Sequence, residues 1–146
     1  MPFGSLVPHC VILICAGVVC GCGKPASDLP VCYPVSGTVL VDGTPAVRAV
    51  VCFYPVSPQH GGQEYVGQTL TDDNGEFRMT TFSSGDGALK GEYVVTVVAP
   101  WEIRRSQDVA VPDLLNGLFA SREKSPLKVT VDEQPLALEP FDLKSK

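Results

Sequence analysis

The residues with most chemistry to offer are six cysteines, two histidines and the oxygen-rich run Asp72-Asp73-Asn74-Gly75-Glu76. Cys10, Cys15, Cys20 and Cys22 crowd into the first 22 residues, which leaves Cys32 and Cys52 for the rest of the chain. In an oxidising compartment that pair could form a disulfide closing a loop of about 20 residues, contributing roughly 3 kcal/mol by restricting the unfolded chain. The alternative is two free thiols too far apart to bridge. Their spacing fits no zinc pattern. Asp72, Asp73 and Asn74 could hold calcium, a hard cation that takes clustered oxygen ligands. They lack the fuller Asp-x-Asp-x-Asp-Gly spacing and the distant bidentate Glu, and they also suit a tight hairpin turn. His60 is the single histidine after residue 22. One imidazole cannot build a histidine-rich zinc site, and the Gly-x-Ser-x-Gly elbow of a serine hydrolase is absent from the sequence. Asp132-Glu133 reads as a turn after Val131. Neither a catalytic residue nor a cofactor is expected.

Cys22 carries a different chemistry. An apolar run, Val11 to Val19, leads to Gly21 and then Cys22. The run is about half of the roughly 20 residues that a membrane-spanning helix needs, and it falls in the range of an export signal. A small residue at the cut followed by cysteine is the layout of a lipoprotein signal, in which the cysteine takes the lipid. Only Cys22 follows a small residue; Cys20 follows Val19, Cys15 follows Ile14 and Cys10 follows His9. Residues 1–10 contain no Lys or Arg, a departure from the usual basic start of such signals. The expected organisation is a signal peptide at 1–21, a lipidated Cys22 with a tether at 22–34, and one domain at 35–146. The expected address is the cell envelope, facing the periplasm or the exterior.

The chain has 146 residues and a formal charge of −5, with no charged residue before Cys22. A nucleic-acid binder would show a basic stripe, so nucleic acid is excluded as a partner. No polybasic patch attracts anionic lipid, so the membrane would be reached through the N-terminal lipid itself. Residues 23–34 (GKPASDLPVCYP) carry three prolines and read as a short tether.

From Val35 onward, period-2 alternation in short runs predicts strands at 35–41, 49–56, 65–71, 76–82, 91–99, 126–131 and 136–143. Asp73-Asn74-Gly75 supplies the left-handed backbone of a hairpin. The segment 101–124 breaks the pattern and reads as a long crossing loop. Pro112-Asp113 suits the start of one short helix in it, and Gly117 suits the end. The fold class expected is all-β, a seven-stranded antiparallel β-sandwich of Ig-like architecture.

The order Val35-x-Gly-x-Val, Gly43-x-Pro45, Val51-x-Phe53-x-Pro55, Thr71-Asp-Asp-Asn-Gly75-x-Phe77, Gly85-Asp86-Gly87-Ala88, Gly91-x-Tyr93-x-Val95, Ser125-Pro126-Leu127-x-Val129 and Phe141-Asp142-Leu143 resembles small bacterial lipoproteins. Those proteins carry a transthyretin-like (prealbumin-like), or carboxypeptidase regulatory-like, β-sandwich. The resemblance spans 35–143 and implies a fold and an exported address rather than a reaction. Hydroxyisourate hydrolases share that fold but end in Tyr-Arg-Gly-Ser, whereas this chain ends Phe141-Asp142-Leu143-Lys144-Ser145-Lys146. The expected role is therefore a non-enzymatic structural or protein-binding module. The alternatives are a carbohydrate-binding module or an accessory subunit of an envelope enzyme. Partner contact, with an envelope protein or a glycan, is assigned to Trp101, Arg104, Arg105 and Phe119, residue types that serve as interface anchors. The competing reading has the two aromatics capping the domain and the arginines solvated.

Overall fold

The computed structural model describes residues 29–100 and 112–145, and among them the chain is all-β. Cys22, Trp101, Arg104 and Arg105 lie outside the described residues. Eleven strand segments run in chain order: β1 (Cys32–Tyr33), β2 (Val35–Val41), β3 (Thr44–Pro45), β4 (Val50–Pro55), β5 (Gly67–Leu70), β6 (Glu76–Arg78), β7 (Ala88–Leu89), β8 (Gly91–Val98), β9 (Lys128–Val131), β10 (Leu136–Ala137) and β11 (Phe141–Leu143). Six of the seven expected runs correspond to β2, β4, β5, β6, β8 and β9. The seventh, 136–143, is divided into β10 and β11, because Glu139 and Pro140 interrupt the pairing. The remaining segments, β1, β3 and β7, are two residues each, too short to show a period.

A four-stranded sheet runs β5-β4-β8-β9 and is antiparallel throughout. A second sheet is built around β2, with β6 and β3 antiparallel to it. Strands β10 and β11 run parallel to β2, which corrects the expectation of a wholly antiparallel arrangement. The physical reason is the direction of return: the chain comes back beside β2 only after crossing the whole domain, so no hairpin forces reversal. Gln68 N–H of β5 donates to the Thr80 carbonyl at 2.8 Å, which stitches the two sheets along one side. On the other side, β9 and the β10–β11 line are edges. These edges are short, flanked by exposed Pro126, Pro135 and Pro140, and carry exposed Lys128 and Lys144. Such features discourage pairing with another chain.

The alternation works as read in β2, where Val35, Val39 and Val41 point inward, and in β4, where Val51 and Phe53 do. These join Phe77, Met79, Tyr93, Val95, Val97, Val129 and Val131 in one core. Phe53 bridges the sheets, edge-on to Phe77 at 6.5 Å and tilted against Tyr93 at 5.6 Å. Gly37 faces Phe77 across β2 and β6, and a Cβ there would lie 2.8 Å from the ring. The glycine therefore makes room for the aromatic.

The expected helix near 112–117 is a series of turns instead. Asp113 acts as the cap, accepting from Leu115 N–H at 3.1 Å and Gly117 N–H at 2.9 Å. Asn116 and Gly117 then both adopt positive φ (51° and 73°), which stops a helix after its first turn. The single helical element among the described residues is a 3-10 turn at His60–Gly62.

Candidate functional site

The strands create two poles with different chemistry. At the first, β1 pairs with β7, setting Cys32 opposite Leu89. The strand continues through Gly91, and Val56 N–H donates to Glu92 C=O at 2.8 Å. Tyr93 fixes this end from within: its hydroxyl donates to the Leu89 carbonyl at 2.7 Å and accepts from Gln59 Nε2 at 2.5 Å. Burial pushes its phenol up. Lys90 and Glu133 form an exposed ion pair at 3.0 Å beside it.

The opposite pole collects the turns Asp42–Gly43 and Asp72–Gly75, the crossing 46–49 and the end of β8. Gly75 has φ +74°, and a Cβ there would sit 2.5 Å from the Val39 carbonyl, so only glycine fits. Beyond β8, Pro100 bridges to Asp113. Ala99 N–H donates to Asp113 Oδ1 at 2.9 Å, and Leu114 N–H to the Ala99 carbonyl at 2.7 Å. Whatever lies between residues 100 and 112 therefore leaves and re-enters the fold at this second pole.

A groove of about 1050 Å³ runs along the outside of β2 and β6. Its lining includes Ser36, Thr38, Thr69, Asp72, Glu76, Arg78, Thr80 and Ser84. The register sets Ser36 beside Arg78 and Thr38 beside Glu76. Asp72 Oδ1 is engaged by the backbone N–H groups of Asn74 and Glu76, both at 2.9 Å. Thr80 Oγ accepts from Gly85 N–H at 2.9 Å. The groove thus presents hydroxyls, a guanidinium and carboxylates to a polar ligand. A smaller, more apolar cleft of about 470 Å³ lies on the open side between the sheets, with Leu118, Phe119, Leu127 and Leu143 in its lining.

Cys32 and Cys52 are free thiols, the second of the two alternatives that the sequence leaves open. The reason is placement. Cys32 lies in β1 against Thr81 and Asp86, and burial together with the Asp86 charge pushes its pKa up to about 11. Cys52 lies mid-way along β4, hydrogen-bonded with Thr96 and Tyr54, and burial raises its pKa too. Asp72, Asp73 and Asn74 form the hairpin turn. No group of three His, Cys, Asp or Glu side chains among the described residues converges to hold a metal. Phe119 is half-buried against the core, and its carbonyl accepts from Val97 N–H at 2.9 Å. It packs and caps rather than standing out as an anchor. His60 and the Asp132–Glu133 pair are exposed.

Three carboxyl and hydroxyl groups organise loops through contacts that the sequence reading did not assign. Asp86 accepts from the N–H groups of Thr81, Phe82 and Ser83 at 2.8–2.9 Å. Burial alone would raise its pKa, and these three donors more than offset it, holding the carboxyl below its ordinary value. Asp113 and the buried Thr71 are the other two. The signal available was Gly85-Asp86-Gly87, an acid between two glycines, which marks a loop closed by its own side chain.

The sequence matches no protein-family model and no curated protein. Among solved structures it is similar to a 9R-lipoxygenase from Cyanothece PCC8801, with 12% identity and a TM-score of 0.40. The likeness covers 77% of this chain and 16% of that one. At that level it carries no argument about activity. Among the described residues no helix is long and apolar enough to cross a membrane.

Proposed function

We propose that the protein is a non-enzymatic, lipid-anchored module of the cell envelope with a structural or protein-binding role. Its domain would be a β-sandwich of the transthyretin-like, carboxypeptidase regulatory-like kind. The observation that supports this reading is the polarity of the fold. The chain enters at β1, ten residues after Cys22, at one pole, while Pro100 and Asp113 meet at the other. A lipid on Cys22 would hold the first pole toward the membrane. The segment carrying Trp101, Arg104 and Arg105 would then start from the side turned to the envelope space.

The experiment is intact mass spectrometry of the chain recovered from a membrane fraction. The expected product begins at Cys22 and carries two or three acyl chains. A mature N-terminus at another residue, or an unmodified Cys22, overturns the anchor. A second reading, glycan binding, is supported by the polar groove along β2 and β6. Calorimetric titration with soluble oligosaccharides tests it: binding that is lost on Arg78→Ala favours the glycan, and no heat at millimolar ligand removes it.

A further inference from the structure

We infer that the pole at which β1 begins is a membrane-contact surface, in which Leu29, Val31 and Val56 rest in the interfacial layer of a lipid bilayer. This deepens the proposed function and rests on lipidation at Cys22.

Five large apolar side chains are exposed among the described residues, and three belong to this pole: Leu29 (54%), Val31 (68%) and Val56 (50%). Their grouping follows from register. The Cys32–Leu89 pairing carries Val31 alongside Lys90, and Val56 is bonded to Glu92 from the opposite flank. The two valines thus bracket the short stretch 89–92, with Leu29 preceding Val31 on the incoming chain. The other two stand outside the grouping: Val66 (39%) just before β5 and Leu70 (48%) at the far end of that strand.

The occupant is set by chain length. Seven residue steps separate Cys22 from Leu29, and a fully extended chain spans about 25 Å over that distance. An acylated Cys22 at the bilayer surface therefore keeps this pole within one domain width of the headgroups. The three apolar side chains at that separation bury against lipid, adding a second contact to the acyl chains, while the exposed Lys90–Glu133 pair beside them stays at the level of the headgroups. The chain's net charge of −5 makes apolar burial, rather than attraction to anionic lipid, the source of that contact.

The test uses the full chain in phosphatidylcholine vesicles whose acyl chains carry bromine, which quenches nearby tryptophan. Trp101→Phe removes the native fluorophore, and Val31→Trp, Val56→Trp or Thr44→Trp adds one back; Thr44 lies beside the Asp42–Gly43 turn at the opposite pole. Intact mass on the same samples reads acylation at Cys22. Val31→Trp and Val56→Trp should each lose about half or more of their emission, consistent with interfacial burial of about 5–10 Å, while Thr44→Trp keeps its own. Acylated chains with no quenching at 31 and 56, or with equal quenching at all three sites, overturn the contact surface and leave the anchor standing. An unacylated Cys22 overturns both. Val31 lies outside the strands, so that variant carries the test even where a change at Val56 disturbs folding.

Discussion

Thr71→Val replaces a hydroxyl by a methyl of nearly the same size at a fully packed position, where Thr71 is 3% exposed. Its Oγ accepts from Ala49 N–H at 2.8 Å and donates to the Ala46 carbonyl. One side chain thus satisfies both ends of the crossing that carries the chain from β3 to β4. Arg48, inside that crossing, adopts a positive φ of 56°, and its N–H reaches the Thr71 carbonyl at 3.2 Å. Valine leaves a buried N–H and a buried C=O without these partners, at about 1–3 kcal/mol each. The expected loss is about 2–6 kcal/mol, a large share of a domain's total of roughly 5–15 kcal/mol. Thr71→Ser keeps the hydroxyl and removes a methyl, so its loss should be about 1 kcal/mol. Equilibrium urea unfolding reads the difference: with a slope of about 2 kcal/mol/M, the Val midpoint falls roughly 1–3 M below wild type and the Ser midpoint much less. A Val variant as stable as the Ser variant would refute the bridging role of the hydroxyl, whatever the absolute values.

The Asp86 loop should be acid-sensitive. A carboxyl with a depressed folded pKa contributes fully above its unfolded value near 3.8 and loses that contribution as pH falls further, through the lower folded value. Asp86→Asn should abolish that part of the acid limb in thermal melts; an unchanged limb would count against the clasp. Gly87→Ala would set a Cβ 1.8 Å from the Tyr33 carbonyl at a φ of +100°, detaching β1 from β7. Faster amide exchange at Cys32 and Tyr33 is the expected readout, and wild-type exchange would contradict the crowding. With its pKa near 11, Cys32 should react with thiol reagents at pH 8 roughly a hundredfold more slowly than a free cysteine, and Gly87→Ala should restore much of that rate. Millimolar calcium should leave the melting midpoint unchanged, since Asp72 Oδ1 is already committed to the turn. A saturable upward shift would reinstate a cation site at Asp72, Asp73 and Asn74.

The strands with long, clean alternation were legible in the sequence: β2, β4 and β8 lie where Val35–Val41, Ala49–Val56 and Gly91–Ala99 predict them. Pairing direction was not, because alternating residues read alike whichever way the neighbour runs. The parallel return of β10 and β11 depends on where the chain has travelled in between. The choice between a bridge and two free thiols was illegible for a similar reason: sequence separation states the loop length, while burial of Cys32 beside Asp86 and of Cys52 beside Thr96 is decided by register. The helix at 112–117 failed locally, since Asp113 does cap the backbone but Asn116 and Gly117 end the turn at once. Ser36, Thr38, Glu76 and Arg78 were visible as the polar halves of two strands. That they share one groove follows only from the pairing of β2 with β6.

The guarded edges of β9 and of the β10–β11 line acquire a further meaning if the chain is held by a lipid. Proteins confined to a bilayer meet one another in two dimensions, at effective concentrations that can approach the millimolar range reached by short linkers. Unpaired strand edges that are harmless in dilute solution become nucleation sites for lateral sheet growth under such crowding. Short edges interrupted by Pro126, Pro135 and Pro140, with Lys128 and Lys144 exposed along them, would keep neighbouring copies from zipping into a continuous sheet across the surface.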